Sequence, residues 1–160
     1  MSSTHAPAAS LEAPARDVWW YGGKVGVKLT AAHTDGRTGM WLWQAGRGAT
    51  APLHVHERED EFFLVVEGTA RFVRGEERIE ARAGDLVVLP RGVPHAYLIT
   101  SETARVVGMA SPGGFESFFT ELGTPVVPGE PPAAPPEPER MARTAAAHGV
   151  EIIGPPPALD

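Results

Sequence analysis

Between residues 18 and 111 the chain alternates short apolar runs with turn signals at fairly regular intervals. The runs predict strands at 24–31, 39–45, 51–56, 61–67, 69–74, 78–81, 85–89, 95–100 and 104–110. Asp35-Gly36 and Gly75 lie where tight hairpins would fit, and other glycine-containing turns separate the remaining runs. This pattern predicts an all-β sandwich or barrel whose sheets largely meander.

The period of the apolar pattern changes after residue 112. Phe115, Phe118, Phe119 and Leu122 recur at i, i+3, i+4 and i+7, and Gly123 follows them. This spacing predicts a short helix that packs its phenylalanine stripe on the barrel. A proline-rich linker at 125–138 then leads to a short helical stretch at 139–148 and an apolar run at 150–153. We expect this tail to dock on its own barrel or on a neighbouring subunit.

The length of 160 residues favours one domain with tails over two domains. Residues 1–16 are rich in Ser, Ala and Pro and predict a flexible N-terminal leader. Residues 17–123 are predicted to form the barrel and the helix that follows it. Residues 124–160 are predicted to form the proline-rich linker and the C-terminal docking tail.

Composition excludes several classes of function. The net charge is −6 and the only lysines are Lys24 and Lys28, so a nucleic-acid partner is not expected. The absence of cysteine excludes disulfides, thiolate metal ligands and cysteine nucleophiles. The N-terminal residues do not read as a secretory signal, and no apolar stretch is long enough to span a bilayer. The sequence therefore predicts a cytoplasmic protein without membrane association.

The candidate chemistry lies in three histidines and one glutamate. His54 and His56 are two residues apart on a predicted strand, so their side chains point to the same face. Glu61 is followed by Phe62 and Phe63, and a carboxylate among apolar residues needs a partner. With His95, these side chains suit one divalent Fe, Mn, Ni, Co, Cu or Zn ion and leave positions for water, O2 or substrate. The neighbouring Glu59 and Asp60 are interpreted as solvated charges, and His5, His33 and His148 are not expected to be ligands.

Two spaced motifs extend this pattern. The first is Gly48-x5-His54-x-His56-x4-Glu61-x6-Gly68, and the second is Gly84-x5-Pro90-x-Gly92-x2-His95. They resemble the two defining motifs of the cupin superfamily in residue order and spacing. The resemblance implies a double-stranded β-helix, or jelly-roll barrel, with short C-terminal helices, in which His54, His56, Glu61 and His95 hold the metal. The second motif commonly ends in asparagine, and Ile99 stands at that place here.

The flanking segments resemble single-domain bacterial cupins of the quercetin 2,3-dioxygenase-like group. These segments are Trp20-Tyr21-Gly22-Gly23, residues 114–119 and residues 149–155. The resemblance implies a dioxygenase in which Glu61 takes the proton of a flavonol-like or other small aromatic or enolic substrate that then reacts with O2. Two alternatives stay open: a cyclase or isomerase that uses the metal as a Lewis acid without O2, and a non-enzymatic cupin that binds small molecules.

The strand faces next to the ligands predict an apolar pocket. Phe63 and Val65 share a face with Glu61, and Tyr97 and Ile99 share a face with His95. We therefore expect these four residues to line the substrate pocket and the substrate to be a small hydrophobic organic molecule.

The tryptophans and the sheet edges bear on assembly. In the strand at 39–45, one face carries Met40, Leu42 and Gln44 and the other carries Trp41 and Trp43, and the sequence does not say which face is inside. The two tryptophans are interpreted as core or dimer-interface residues, and the segment 19–21 as an interface or a lid. Exposed jelly-roll edges predict a homodimer.

Overall fold

The computed structural model describes residues 17–130 and 132–159, so the predicted leader at 1–16 lies outside the described residues. The described residues form twelve strands and two α-helices. The strands are β1 Val18–Trp20, β2 Gly23–Leu29, β3 Gly39–Gly46, β4 Thr50–His56, β5 Asp60–Glu67, β6 Thr69–Arg74, β7 Glu77–Arg82, β8 Leu86–Leu89, β9 His95–Ile99, β10 Thr103–Ser111, β11 Thr124–Pro125 and β12 Val150–Gly154. The helices are α1 Glu116–Leu122 and α2 Pro138–Ala147.

The strands form two antiparallel sheets that face each other. One sheet has the order β11-β1-β2-β3-β10-β5-β8, and the other has the order β12-β4-β9-β6-β7. The all-β jelly-roll architecture is confirmed. The expected meander is wrong, because strands that follow each other along the chain, such as β4 and β5, mostly belong to opposite sheets. Pairing of β10 with β3 and β5 therefore depends on contacts that are distant in sequence.

One of the two predicted tight hairpins is present. Gly75 adopts a φ of +59°, and Arg74 pairs with Glu77 across a two-residue turn. A tight hairpin at Asp35-Gly36 is wrong, because a 3-10 turn at Ala31–Thr34 precedes these residues in a longer connection. Asp35 and Gly36 take φ values of +50° and +79°, so they end the 3-10 turn.

The inner faces of both sheets form the core, and β3 now has a defined orientation. Trp41 and Trp43 point inward, where Trp41 contacts Phe63 and Trp43 contacts Tyr97, with ring centroids 6.1 and 5.3 Å apart. Gly108 on the adjacent strand leaves room for Trp41, since a Cβ there would lie 2.3 Å from its indole ring. The core interpretation of these tryptophans is therefore correct, and they do not face a dimer interface.

Helix α1 places the predicted phenylalanine stripe over the open end of the barrel. Phe118 and Phe119 are buried, and both pack edge-on against Trp20, whose ring is also buried. Trp20 is thus a core residue, and the expectation of an interface or lid is wrong for it. None of the helices in the described part of the chain is long and apolar enough to cross a membrane.

The C-terminal segment returns to the same end of the barrel. Strand β12 pairs antiparallel with β4, so it extends the five-stranded sheet of its own chain. Helix α2 buries Met141 and Ala145, while its remaining residues are exposed or half-buried. Together α2 and β12, residues 138–154, cover the barrel end where β4 presents its histidines. We call this segment the roof.

Candidate metal centre

Strands from both sheets bring the four candidate ligands together. His54 and His56 lie on β4, and His95 lies on the neighbouring β9, where it is the register partner of His54. Glu61 comes from β5 in the opposite sheet. One ligand atom from each residue lies within 4.8 Å of all the others. All four residues are buried, with His54 the most exposed at 7 %. The barrel thus concentrates four metal-binding side chains between its two sheets.

The distances within this cluster suit ligands that share one ion. The His95 Nε2 atom lies 2.9 Å from Glu61 Oε2, and His56 Nε2 lies 3.4 Å from the same oxygen. Two ligand atoms at right angles around an ion, each about 2.1 Å from it, would be about 3.0 Å apart. His56 Nε2 is also buried without a hydrogen-bond partner among the described residues. A buried nitrogen of this kind requires compensation, which a metal ion supplies.

The same ring nitrogen is kept free in all three histidines. Nδ1 of His54 donates to the Pro52 carbonyl at 2.7 Å, and Nδ1 of His95 donates to the Val93 carbonyl at 3.0 Å. Nδ1 of His56 donates to the Glu59 carboxylate at 3.1 Å. Because each Nδ1 carries the proton, each Nε2 presents its lone pair to the cluster. The imidazoles are therefore held in the tautomer that binds a metal.

Glu59 is buried beside the candidate ligands, although it was not predicted from the sequence. It was expected to be a solvated charge, and this expectation is wrong, because Glu59 is only 6 % exposed and bonds to His56. A carboxylate behind a metal-binding histidine fixes its orientation and increases its basicity. In the charged run Arg58-Glu59-Asp60-Glu61, the sequence signal for Glu59 is its position three residues after His56. Asp60, in contrast, lies nearer the surface and forms an ion pair with Arg91 at 2.9 Å.

The electrostatics of the cluster match its donor role. Burial and the neighbouring His95 lower the pKa of His54 to about 3, so its imidazole is neutral at pH 7. Burial alone would raise the pKa of Glu61, but the imidazoles of His56 and His95 outweigh it and lower the pKa to about 2. Burial would also lower the pKa of His56, but the carboxylates of Glu61 and Glu59 raise it. The site thus offers an ionised carboxylate among imidazoles.

These observations agree with the predicted cofactor. Three imidazole nitrogens and one carboxylate oxygen form a site suited to one divalent transition-metal ion per chain. The cluster excludes soft thiolate chemistry, since the chain has no cysteine. His33, in the 3-10 turn, and His148, beside Glu121, lie outside the cluster.

A small apolar cavity adjoins the cluster on the side of His54. Its volume is about 30 Å³. It is lined by side chains of the barrel, α1 and the roof: Trp20, Ala51, Pro52, His54, Tyr97, Phe115, Phe118, Phe119, Met141, Ala145, Val150 and Ile152. We call this cavity the chamber. Within the described part of the chain, no lysine or arginine lines it.

The predicted pocket residues separate into two groups. Tyr97 lines the chamber, where its ring lies 6.5 Å from that of His54. Phe63, Val65 and Ile99 are at most 1 % exposed and do not line the chamber. They pack in the barrel core beside the ligand strands, so in this structure they support the site from behind. The residues that α1 and the roof contribute could not be assigned from the strand motifs.

Comparisons with known proteins agree with the fold and the ligand pattern. A family described as "Cupin domain" matches residues 41–109. Over 115 residues, 70 % of this chain, the sequence is 34 % identical to quercetin 2,3-dioxygenase of Bacillus subtilis. This match spans 34 % of the length of that dioxygenase, so the chain corresponds to about a third of it.

Two further relatives are similar over most of their own length. An uncharacterized protein of Streptomyces coelicolor is 32 % identical over 74 residues, which are 46 % of this chain and 68 % of that protein. The crystal structure of a predicted oxalate decarboxylase from Thermotoga maritima superposes with a TM-score of 0.60 at 16 % identity, over 66 % of this chain and 99 % of that chain. With its jelly roll and its buried histidine-glutamate cluster, the chain belongs to the cupin superfamily, in the group similar to quercetin 2,3-dioxygenase.

Proposed function

We propose that the protein is a metal-dependent dioxygenase that acts with O2 on a flavonol-like or other small aromatic or enolic substrate. The observation that carries this proposal is the position of the metal ligands beside a chamber lined by aromatic and aliphatic side chains. A flat apolar substrate matches such a lining, and its oxygen atoms could approach the cluster beside His54.

The side chains of the cluster and the chamber suit this chemistry. When bound, a divalent ion supplies Lewis-acid chemistry that acidifies a substrate hydroxyl. Glu61, ionised at neutral pH, accepts that proton at a carboxylate oxygen. Burial raises the pKa of Tyr97, so its hydroxyl stays protonated and can donate a hydrogen bond to a substrate oxygen. The apolar roof keeps bulk water away while both atoms of O2 enter the product.

The lining of the chamber favours this substrate class over a small dianion. A relative of similar fold is named a predicted oxalate decarboxylase. Arginine or lysine side chains would help the ion to hold the two carboxylates of oxalate, and among the residues that the structure describes none lines the chamber. The cyclase or isomerase and the non-enzymatic binding protein use the same residues, so experiment separates them from the dioxygenase.

Oxygen uptake tests the proposal. The metal-loaded protein is mixed with 3-hydroxyflavone, and O2 and flavonol are followed together, with His56→Ala as the control variant. We expect one O2 consumed per flavonol, and no reaction in His56→Ala. Turnover of the flavonol without O2 uptake would favour the cyclase or isomerase. Binding without turnover would favour the non-enzymatic alternative.

We also propose that the protein is a homodimer that pairs through the outer face of the seven-stranded sheet. Apolar residues continue across β3, β10, β5 and β8 in two register rows: Leu42, Val107, Leu64 and Leu86, and Met40, Met109, Phe62 and Val88. Leu64, Leu86 and Val88 are exposed by 37, 56 and 37 %. Leu42 and Val107 are already buried within the chain, so the exposed part of the two rows lies on β5 and β8.

The apolar centre and the polar rim of this face suit a second copy of the chain. A standard interface buries about 800 Å² per partner, with an apolar centre and a polar rim. Here the rim carries the ion pairs Arg105–Glu67 and Arg91–Asp60. A two-fold axis would pack two flat apolar faces together. We expect Leu86→Glu to convert a dimer into a monomer, measured by light scattering, whereas Val127→Glu, an exposed site in the linker, should not. A concentration-independent monomer mass for the unmodified protein would contradict the homodimer.

The remaining sequence predictions concern location. A cytoplasmic protein without nucleic-acid or membrane partners stays a prediction from composition and from the N-terminal residues.

A further inference from the structure

We infer that the roof is a movable wall of the substrate site, which must open to admit substrate and whose residues Met141 and Ala145 set the size of the substrate accepted. This inference rests on the proposed function for the class of substrate. It goes beyond that function because it assigns entry and size selection to the C-terminal segment.

The chamber is too small for an organic substrate. The chamber holds about 30 Å³, which is room for one or two water molecules. Sites for organic ligands of drug size measure about 300 Å³ or more. The cluster itself is closed, because His56, Glu61 and His95 are at most 1 % exposed. Neither a hydrated metal ion nor an organic substrate therefore reaches the cluster until part of the wall moves.

The walls of the chamber differ in how firmly they are held. Most of the wall belongs to paired barrel strands and to α1, whose phenylalanines pack against Trp20 and Trp41 in the core. The roof is attached differently. It follows a linker whose residues at 126–130 and 132–137 are mostly exposed, and β12 pairs with one strand only, at the edge of its sheet. Its pairing with β4 is also irregular between Ile152 and Gly154.

The contacts that hold the roof closed are few and mostly at its borders. Met141, Ala145 and Val150 are its buried apolar residues. His148 Nε2 lies 2.8 Å from the carboxylate of Glu121 on α1, and Arg140 donates to the Glu121 carbonyl at 3.0 Å. These polar contacts are partly exposed and can exchange with water. Opening therefore requires loss of one edge-strand ladder and of the packing of Met141, Ala145, Val150 and Ile152, together with the contact of the His148 ring on Phe118, while the barrel stays intact.

Two side chains of α2 limit the space for a substrate in the chamber. Met141 and Ala145 are one helical turn apart on α2, and both point into the chamber. Met141 has a long flexible side chain that fills space, and Ala145 leaves space. A substrate that enters under the roof would contact these two residues as well as His54, because all three line the chamber. The volume at 141 and 145 then limits how large an aromatic group fits against the cluster.

A reversible lock tests the movement. Val55 on β4 and Glu151 on β12 are register partners with side chains outside the core, and the chain has no other cysteine to interfere. The double variant Val55→Cys with Glu151→Cys should form a disulfide that ties β12 to β4. A control disulfide, Val73→Cys with Arg78→Cys, joins register partners of β6 and β7 away from the roof.

The lock is read out in two ways. The first readout is the rate of Co²⁺ uptake by metal-free protein, followed by visible absorption. The second is the rate of 3-hydroxyflavone binding to metal-loaded protein, followed by tryptophan fluorescence. We expect the oxidised lock to slow both rates by at least tenfold and a reductant to restore them, with no change in the control disulfide. Unchanged rates in the oxidised lock would overturn the movable roof.

The two readouts separate failure of this inference from failure of the proposed function. If no form of the protein binds 3-hydroxyflavone, the proposed substrate class fails, and Co²⁺ uptake still decides whether the roof must open. If flavonol binds at the same rate with the roof locked or free, the substrate class stands and the roof inference fails.

Size selection is tested by variants on two faces of α2. Ala145→Leu should weaken 3-hydroxyflavone binding at least tenfold with one Co²⁺ still bound per chain. Ala147→Leu, on the exposed face, should have no effect. Met141→Ala should improve binding of the bulkier quercetin relative to 3-hydroxyflavone, and it provides the test if Ala145→Leu does not fold. Equal behaviour of Ala145→Leu and Ala147→Leu, or an unchanged ratio in Met141→Ala, would refute this role.

Discussion

The metal cluster and the roof border the same chamber, but they are built differently. The cluster takes its residues from three strands in the middle of two sheets, and its three histidines are each held by a hydrogen bond from Nδ1. The roof comes from one contiguous segment and rests on an edge strand and a few apolar side chains. The comparison suggests that chemistry is assigned to the rigid region and substrate entry to the region that costs least to displace.

The largest expected effect is the loss of bound metal when one ligand of the cluster is removed. His56→Ala removes one of four ligands and the partner of Glu59, leaving an incomplete coordination sphere and a buried carboxylate without its histidine. We expect almost complete loss of bound metal, measured by elemental analysis of purified protein. His33→Ala, a histidine outside the cluster, should retain one ion per chain. Equal metal content in both variants would refute the site.

Removal of a buried side chain should cost more stability in the barrel core than in the roof. Phe63→Ala removes a ring at 1 % exposure from the barrel core and should lower the free energy of unfolding by about 3–5 kcal/mol. Met141→Ala in the roof should cost about 2 kcal/mol, because α2 can shift to fill the space. Chemical denaturation of the metal-free proteins measures both. A roof variant that is as destabilised as the barrel variant would show that the two regions unfold together.

The metal ligands could be predicted from the sequence, whereas features that depend on neighbouring strands could not. The ligands were recognisable because spacing within a strand decides which side chains share a face, as for His54 and His56. The sequence could not predict which face of β3 points inward, because both faces carry apolar residues, such as Trp41 and Leu42. Only the neighbouring strands decide between the two faces.

Contacts between distant segments were also out of reach. The burial of Glu59 depends on the fold of the loop around His56, and the wall formed by Met141 and Ala145 depends on where a proline-rich linker delivers α2. Neither feature produces a local sequence pattern. The sequence could therefore predict pocket residues only on the barrel strands, as for Phe63, Val65 and Ile99.

Glu59 offers a smaller and sharper test of the cluster. Glu59→Gln keeps a hydrogen-bond acceptor for His56 Nδ1 but removes the charge, so the imidazole should become a weaker ligand. We expect metal affinity to fall about 10- to 100-fold, without loss of stoichiometry at saturating metal. Competition with a chromophoric chelator measures it. Glu57→Gln, on the exposed side of the same loop, serves as the control, and an equal effect of both changes would contradict the positioning role.

Metal affinity should also depend on pH. The carboxylates of Glu61 and Glu59 raise the pKa of His56, so below that pKa a proton must leave His56 before a metal binds. Metal affinity should therefore fall as pH decreases, by about tenfold per pH unit for one displaced proton. His54, with a pKa of about 3, should add nothing above pH 4. Chelator competition at a series of pH values measures the slope, and a flat profile from pH 8 to pH 5 would contradict it.

X-ray absorption spectroscopy of the metal-loaded protein tests the central claim most directly, because it counts the ligands around the ion. The account predicts three imidazoles and one carboxylate from the protein, with one imidazole lost in His95→Ala. Fewer than three imidazoles in the unmodified protein, or an unchanged spectrum in His95→Ala, would contradict it.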